Sequence, residues 1–87
     1  MDEKKRKAAA LQYRHQIDQA PKVTAKGQGV VAERIIDIAK AHNIPIKSDP
    51  ALVEVLCQLD LDREIPSELY RAVAQILAYV YRMTKKL

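Results

Sequence analysis

KVTAKGQGVVAERII, residues Lys22 to Ile36, changes period halfway along. Val23 and Thr24 open a short β-branched, alternating segment. Gly27 and Gly29 then interrupt it, and from Gly29 the apolar residues recur at helical spacing. A strand over Lys22 to Ala25, a glycine-permitted turn and a helix therefore follow one another, and the rest of the chain is read outward from that corner. The helix is expected from Gly29 to His42, with Val31, Ile35, Ile38 and Ala39 on its core face and Glu33, Arg34, Asp37 and Lys40 in water. Asn43 is a good left-handed cap, and Pro45 stops the helix. Ile44 to Lys47 then read as a second strand, parallel to the first through a right-handed crossover.

Downstream, Asp49 and Pro50 have the chemistry of an N-cap and a first helical residue. Leu52, Val55, Leu56 and Leu59 fall at i, i+3, i+4 and i+7, so a second amphipathic helix is expected to end near Asp60. Ile65 and Pro66 announce a third, running to about Thr84, with Leu69, Val73, Ile76, Leu77 and Val80 inward. Tyr70, Tyr79 and Tyr81 flank that stripe and are read as packing residues with polar tips.

Upstream, Ala8 to Tyr13 (AAALQY) are ambiguous. Alanine, leucine and glutamine favour helix, whereas alternation through Ala9, Leu11 and Tyr13 permits a strand. Arg14 to Pro21 form a polar connection with turn chemistry at Asp18 and Pro21. Residues 1–7 read as a mobile basic arm, and residues 8–87 as one domain.

The chain has 87 residues, no Trp and no Phe, so its core must be thin and aliphatic. Its net charge of +4 lies wholly in residues 1–28, where seven basic residues face three acidic ones. A basic arm of that kind fits nucleic acid, anionic lipid or an acidic protein, although a single cluster without aromatics is read first as a solvated tail. The lone Cys57 has no intramolecular disulfide partner and lies among Val53, Val55, Leu56 and Leu59, as a small buried apolar residue would. No signal peptide or transmembrane run is present, and a cytoplasmic location is expected.

Catalytic constellations are absent from the pattern. His15, His42 and Cys57 lie on separate elements, at neither metal-ligand nor nucleophile–base spacing, and the histidines are read as exposed polar residues. Gly27-Gln28-Gly29 beside Lys26 is a fragment of a phosphate loop without its full spacing, so a structural turn is the preferred reading. No metal and no cofactor are implied.

APKVTAKGQG, VVAERIIDIAKAHNIPI and EIPSELYRAVAQILAYVYR, in this order over roughly residues 8–83, resemble the cytoplasmic C-terminal domain of the FlhB family. These are the substrate-specificity switch proteins of flagellar and related type III secretion systems. The resemblance implies a small α/β module, with a mixed sheet of about three strands packed by three helices. It also makes Ala8 to Tyr13 a strand. Family members carry Asn-Pro-Thr-His just before that strand and cleave themselves between its Asn and Pro when the Asn carboxamide attacks its own carbonyl. Counting back from Leu11, those positions hold Glu3, Lys4, Lys5 and Arg6. Glutamate has no carboxamide nitrogen, so self-cleavage is expected to be absent.

The resemblance implies a free-standing FlhB-like protein matching only the post-cleavage part of the domain, without the strand that precedes the motif. The strand around Leu11 would then have an unpaired edge, open to an export component, an export substrate or a second copy. The function expected is a non-enzymatic interaction module of the export apparatus, supplementing or substituting for the C-terminal part of the switch protein. Lys22, Lys26 and Arg34 are the further candidate contacts. The alternative, a small basic nucleic-acid-binding protein, predicts steep salt dependence.

Overall fold

A computed structural model of the chain describes residues 6–14 and 16–84. The elements in chain order are strand β1 (Lys7–Gln12), strand β2 (Lys22–Gln28), helix α1 (Val30–Ala41), helix α2 (Pro50–Leu56), a single 3₁₀ turn (Ser67–Leu69) and helix α3 (Tyr70–Thr84). The class is α/β, with three α-helices as expected. Local helix propensity in AAALQ yields to tertiary pairing, since β1 lies antiparallel to β2.

The sheet has two strands where about three were expected. Ile44 to Lys47 form no strand, and the parallel crossover is replaced by a β1–β2 hairpin. A strand needs a neighbour to satisfy its amides. The outer edge of β2 is instead taken near its start by the loop before α3: Asp62 N–H donates to Val23 O at 2.8 Å and Ile65 N–H to Pro21 O at 2.9 Å. Pro45 has no N–H to offer, and Lys47 places its ammonium 5.3 Å from the centre of the Tyr79 ring.

One irregularity fixes what each sheet face carries. Ala10 pairs with Ala25 but Leu11 with Val23, so Thr24 is an extra residue in β2. Cross-strand partners share a face, and the bulge therefore turns Val23 to the side of Leu11. Ala8, Ala10, Ala25 and Gly27 form the other side, a floor of small residues on which α1 lies with Ala32 fully buried. Gly27 is there for space. A Cβ at this position would stand 2.2 Å from Val31 Cγ1.

Beneath the opposite face, Val23 joins Leu52, Leu56, Ile65 and Val73 in the core, with Ala9, Leu11, Leu69, Ile76 and Leu77 packed around them. Val23 and Val73 are the largest fully buried side chains, so the core is as thin as the composition requires.

Several boundaries and faces differ from the expected ones. β2 continues through Gly27, and the turn is made at Gly29 alone, with φ 65° and ψ −127°. α1 ends in the expected way. Asn43 is left-handed at φ 58°, its N–H donates to Lys40 O at 3.1 Å, and Ile44 N–H donates to Ala39 O at 2.8 Å. Its core face is shifted, however. Ala32 is buried and Ile35, Ile36 and Ala39 are half-buried, whereas Val31 and Ile38 are each 53% exposed. Two strands about 4.8 Å apart cannot underlie a helix about 10 Å across, so part of its apolar stripe stays uncovered.

Asp49 caps α2 as expected, accepting the Leu52 N–H at 3.1 Å. The helix stops at Leu56, short of Asp60, and its chain continues as turns. Tyr79 is half-buried, but Tyr70 and Tyr81 are exposed, which corrects their reading as packing residues. On α3 they lie with Ala74, Leu77 and Ala78 on a second stripe, at i, i+4, i+7, i+8 and i+11, beside the one that buries Val73.

Candidate docking surface

The exposed edge of β1 can be located from a single bond. Gly29 N–H donates to Arg6 O at 2.8 Å, in the same register that pairs Lys7 with Gln28 and Ala8 with Gly27. In an antiparallel ladder such bonded pairs alternate with unbonded ones, so Arg6, Ala8 and Ala10 direct their amides at β2. Lys7 and Ala9 direct theirs the other way. No backbone partner meets that edge among the described residues.

Side chains of α2 and its C-cap meet β1 beside this edge. Lys7 Nζ meets Glu54 Oε2 at 2.7 Å, and the Cys57 thiol points at Ala8 O at 3.7 Å. A shallow groove continues between the hairpin and α2, lined by Lys7, Lys26, Gln28, Glu54, Cys57 and Gln58. Its chemistry is one carboxylate, two ammonium groups, two amides and a thiol. These groups suit polar contact with a chain lying across them. The described residues hold no His, Cys, Asp or Glu group that could bind a metal ion.

The residues singled out in the sequence do not form one site. Lys26 is half-buried and donates to Leu59 O at 2.5 Å, closing the turn after α2. Lys22 is half-buried and bridged through its backbone to Glu64. Leu11 lies in β1, with its side chain half-buried over the core on the face of Val23. Arg34 alone is exposed, on α1. The expected mobile arm is corrected at Lys7, which is the first residue of β1, while residues 1–5 and His15 lie outside the described residues. Of the four positions matching the cleavage motif, only Arg6 is described.

Two features escaped the sequence reading. One is the outward pairing capacity of Ala9, which needs the register. The other is the connection between the strands, where Arg14 and Asp18 close on each other. Asp18 accepts the Arg14 N–H at 2.9 Å and the guanidinium at 3.2 Å. The backbone hydrogen bond from Arg14, followed by the one from its side chain, holds the Asp18 carboxyl below the ordinary aspartate value. The i, i+4 spacing of opposite charges is a signal for this clamp that the sequence does contain.

Comparison with known proteins places this geometry. The sequence model of the FlhB HrpN YscU SpaS family matches residues 5–80. The uncharacterized protein YlqH of Bacillus subtilis is 46% identical over 78 residues, covering 90% of this chain and 84% of its own. The flagellar biosynthetic protein FlhB of Escherichia coli is 40% identical over 79 residues, covering 90% of this chain and 21% of its own length. The chain thus spans about a fifth of the FlhB relatives it matches. Among solved structures, the cytoplasmic domain of FlhB from Shewanella putrefaciens superposes with a TM-score of 0.86 at 40% identity, over 92% of this chain and 63% of that one. The PscU C-terminal domain superposes with a TM-score of 0.81 at 29% identity, over 85% and 95% respectively.

Proposed function

Because the chain belongs to the FlhB, HrpN, YscU and SpaS family, we propose that it is a non-enzymatic docking module of a flagellar or type III protein export apparatus. It takes an extended segment of an export component or export substrate along the outer edge of β1. The observation that carries this reading is the pair of outward amides at Lys7 and Ala9 without a backbone partner among the described residues. An unpaired edge is a template for strand addition, and native edges left open are those with a use.

The module supplements or substitutes for the C-terminal part of a switch protein. Bacillus subtilis supports the supplementing role by analogy, since it has both the short YlqH and a full-length FlhB. Glu3 stands where self-cleavage would require an asparagine, so the module works without that step. No helix among the described residues is long and apolar enough to cross a membrane. Contact with the membrane is made through the export apparatus.

Proline at Ala9 tests the reading. It deletes an outward N–H while leaving the hairpin's own bonds, as edge positions tolerate. Ala9→Pro should abolish association with export components, measured by co-purification, with the helical circular dichroism of the wild type retained. Ala10→Pro, which removes an N–H aimed at β2, should instead unfold the hairpin. Normal association by a folded Ala9→Pro variant would end the edge-docking account.

A further inference from the structure

The uncovered flank of α1 and an unpaired stretch of β2 lie on the same side of the molecule. Ala32, which is buried, and Ala39, half-buried, mark the line along which α1 rests on the sheet. At 3.6 residues per turn their predecessors, Val31 and Ile38, fall on one flank and their successors, Glu33 and Lys40, on the other. Val31 Cγ1 stands over Gly27, where a Cβ would come within 2.2 Å of it, and Gly27 belongs to β2. The Val31 flank therefore overhangs β2, and the charged flank lies toward β1. Val31 and Ile38 are each 53% exposed, with Ile35 half-buried between them. Below this overhang, Ala25 and Gly27 turn their amides to β1, so Lys26 and Gln28 turn theirs outward. The loop before α3 bonds that edge only at Pro21 and Val23, and no backbone partner meets Lys26 or Gln28 among the described residues.

We infer that this edge takes a second copy of the chain, in an antiparallel dimer whose two-fold axis passes beside Gly27. The edge is self-complementary. Lys26 opposite Gln28 of the second copy, and Gln28 opposite its Lys26, exchange four hydrogen bonds, and Gly27 meets Gly27 as the close unbonded pair between them. Spacing favours a whole copy over an isolated peptide strand. Adjacent strands lie about 4.8 Å apart, so the centres of the two hairpins are about 9.6 Å apart, within the roughly 8 to 10 Å at which helices pack. The helices run in opposite directions from the axis and overlap through their first turns. Val31 there meets Val31, with Ile35 beside it, and Ile38 reaches the start of the second helix. Each α1 covers the bare flank of the other, which a peptide strand alone would leave half in water. Glu33 and Lys40 stay outside the contact, on the flank toward β1.

The dimer is a four-stranded sheet in the order β1, β2, β2, β1, with its two β1 edges facing opposite ways. It goes beyond the export reading and is independent of it, since both docking edges stay free. The contact is short, so it falls among interfaces that bury less than about 1,200 Å² and associate reversibly. Sedimentation equilibrium of the whole chain should show monomer and dimer exchanging between about 10 μM and 1 mM. Amide hydrogen exchange over that range should slow with concentration at Lys26 and Gln28 and stay constant at Lys7 and Ala9. Val31→Lys should weaken association by more than roughly 30-fold, because two valine contacts are lost per dimer. Gln28→Pro removes an outward N–H and keeps the hairpin's own bonds, so it should weaken association with wild-type helical circular dichroism. Ala9→Pro should dimerise as the wild type does.

A wild-type chain that stays monomeric throughout overturns the inference, as does undiminished dimerisation by either folded variant, Val31→Lys or Gln28→Pro. Concentration-dependent protection at Lys7 and Ala9 instead, or a dimer dissolved by Ala9→Pro, overturns it in favour of pairing through β1. A dimer without affinity for export components overturns the export reading and leaves this one standing.

Discussion

Replacing Gly27 with alanine should push α1 off the sheet. The new Cβ would lie 2.2 Å from Val31 Cγ1 and 2.7 Å from Val31 Cβ. Carbon atoms prefer about 3.5 to 4.0 Å, so one layer must move by more than about 1 Å. Val31 cannot swing aside at its own Cβ, and the backbone must yield. Overpacking of this kind costs about 1 to 3 kcal/mol, and the stiffer unfolded chain returns about 0.4 to 1 kcal/mol. A net loss of about 1 to 2 kcal/mol follows, which in a domain of this size lowers the melting temperature by roughly 4 to 16 °C.

Val31→Ala alone should cost under about 1 kcal/mol, since Val31 is 53% exposed. The double variant should be less destabilised than the sum of the two, by about 1 kcal/mol, because the nearest clashing methyl is gone. Urea denaturation followed at 222 nm gives all four stabilities, and an unchanged m value certifies the same folded and unfolded states. A neutral or stabilising Gly27→Ala, or strict additivity with Val31→Ala, would refute the close-packed floor beneath α1.

Gly29→Ala should cost about 1 to 3 kcal/mol in thermal melts, because φ 65° with ψ −127° is a backbone state that L residues avoid. Lys26→Met keeps the apolar stem but removes the bond to Leu59 O, and should lower stability by about 1 kcal/mol in urea titrations. The folded-state pKa of Asp18 is depressed, so its contribution is complete above the ordinary aspartate value of 3.8 and is lost as pH falls through the lower folded value. Stability should therefore drop more steeply below about pH 4 in the wild type than in Asp18→Asn.

The sequence alone determined whatever depends on spacing along one element. The cap at Asp49 and Pro50, the left-handed Asn43 and the stripe that buries Val73 are written in neighbours a few residues apart, and each forms where its pattern stands. The order of three family-like segments was also enough to assign the family. Tertiary structure decided what depends on which element lies beside which. Helix-prone AAALQ becomes β1 because β2 offers it a ladder, and Ile44 to Lys47 stay unpaired while the loop before α3 takes the start of β2's outer edge. Lys26 looked like a surface charge, yet a carbonyl 33 residues away claims it. The extra residue at Thr24 reverses which side chains meet the core, and no local pattern around Thr24 announces it. The open edge at Lys7 and Ala9 is the clearest case. Hydrogen-bonding direction alternates along a strand, so which amides remain free is fixed only once the register with β2 is fixed.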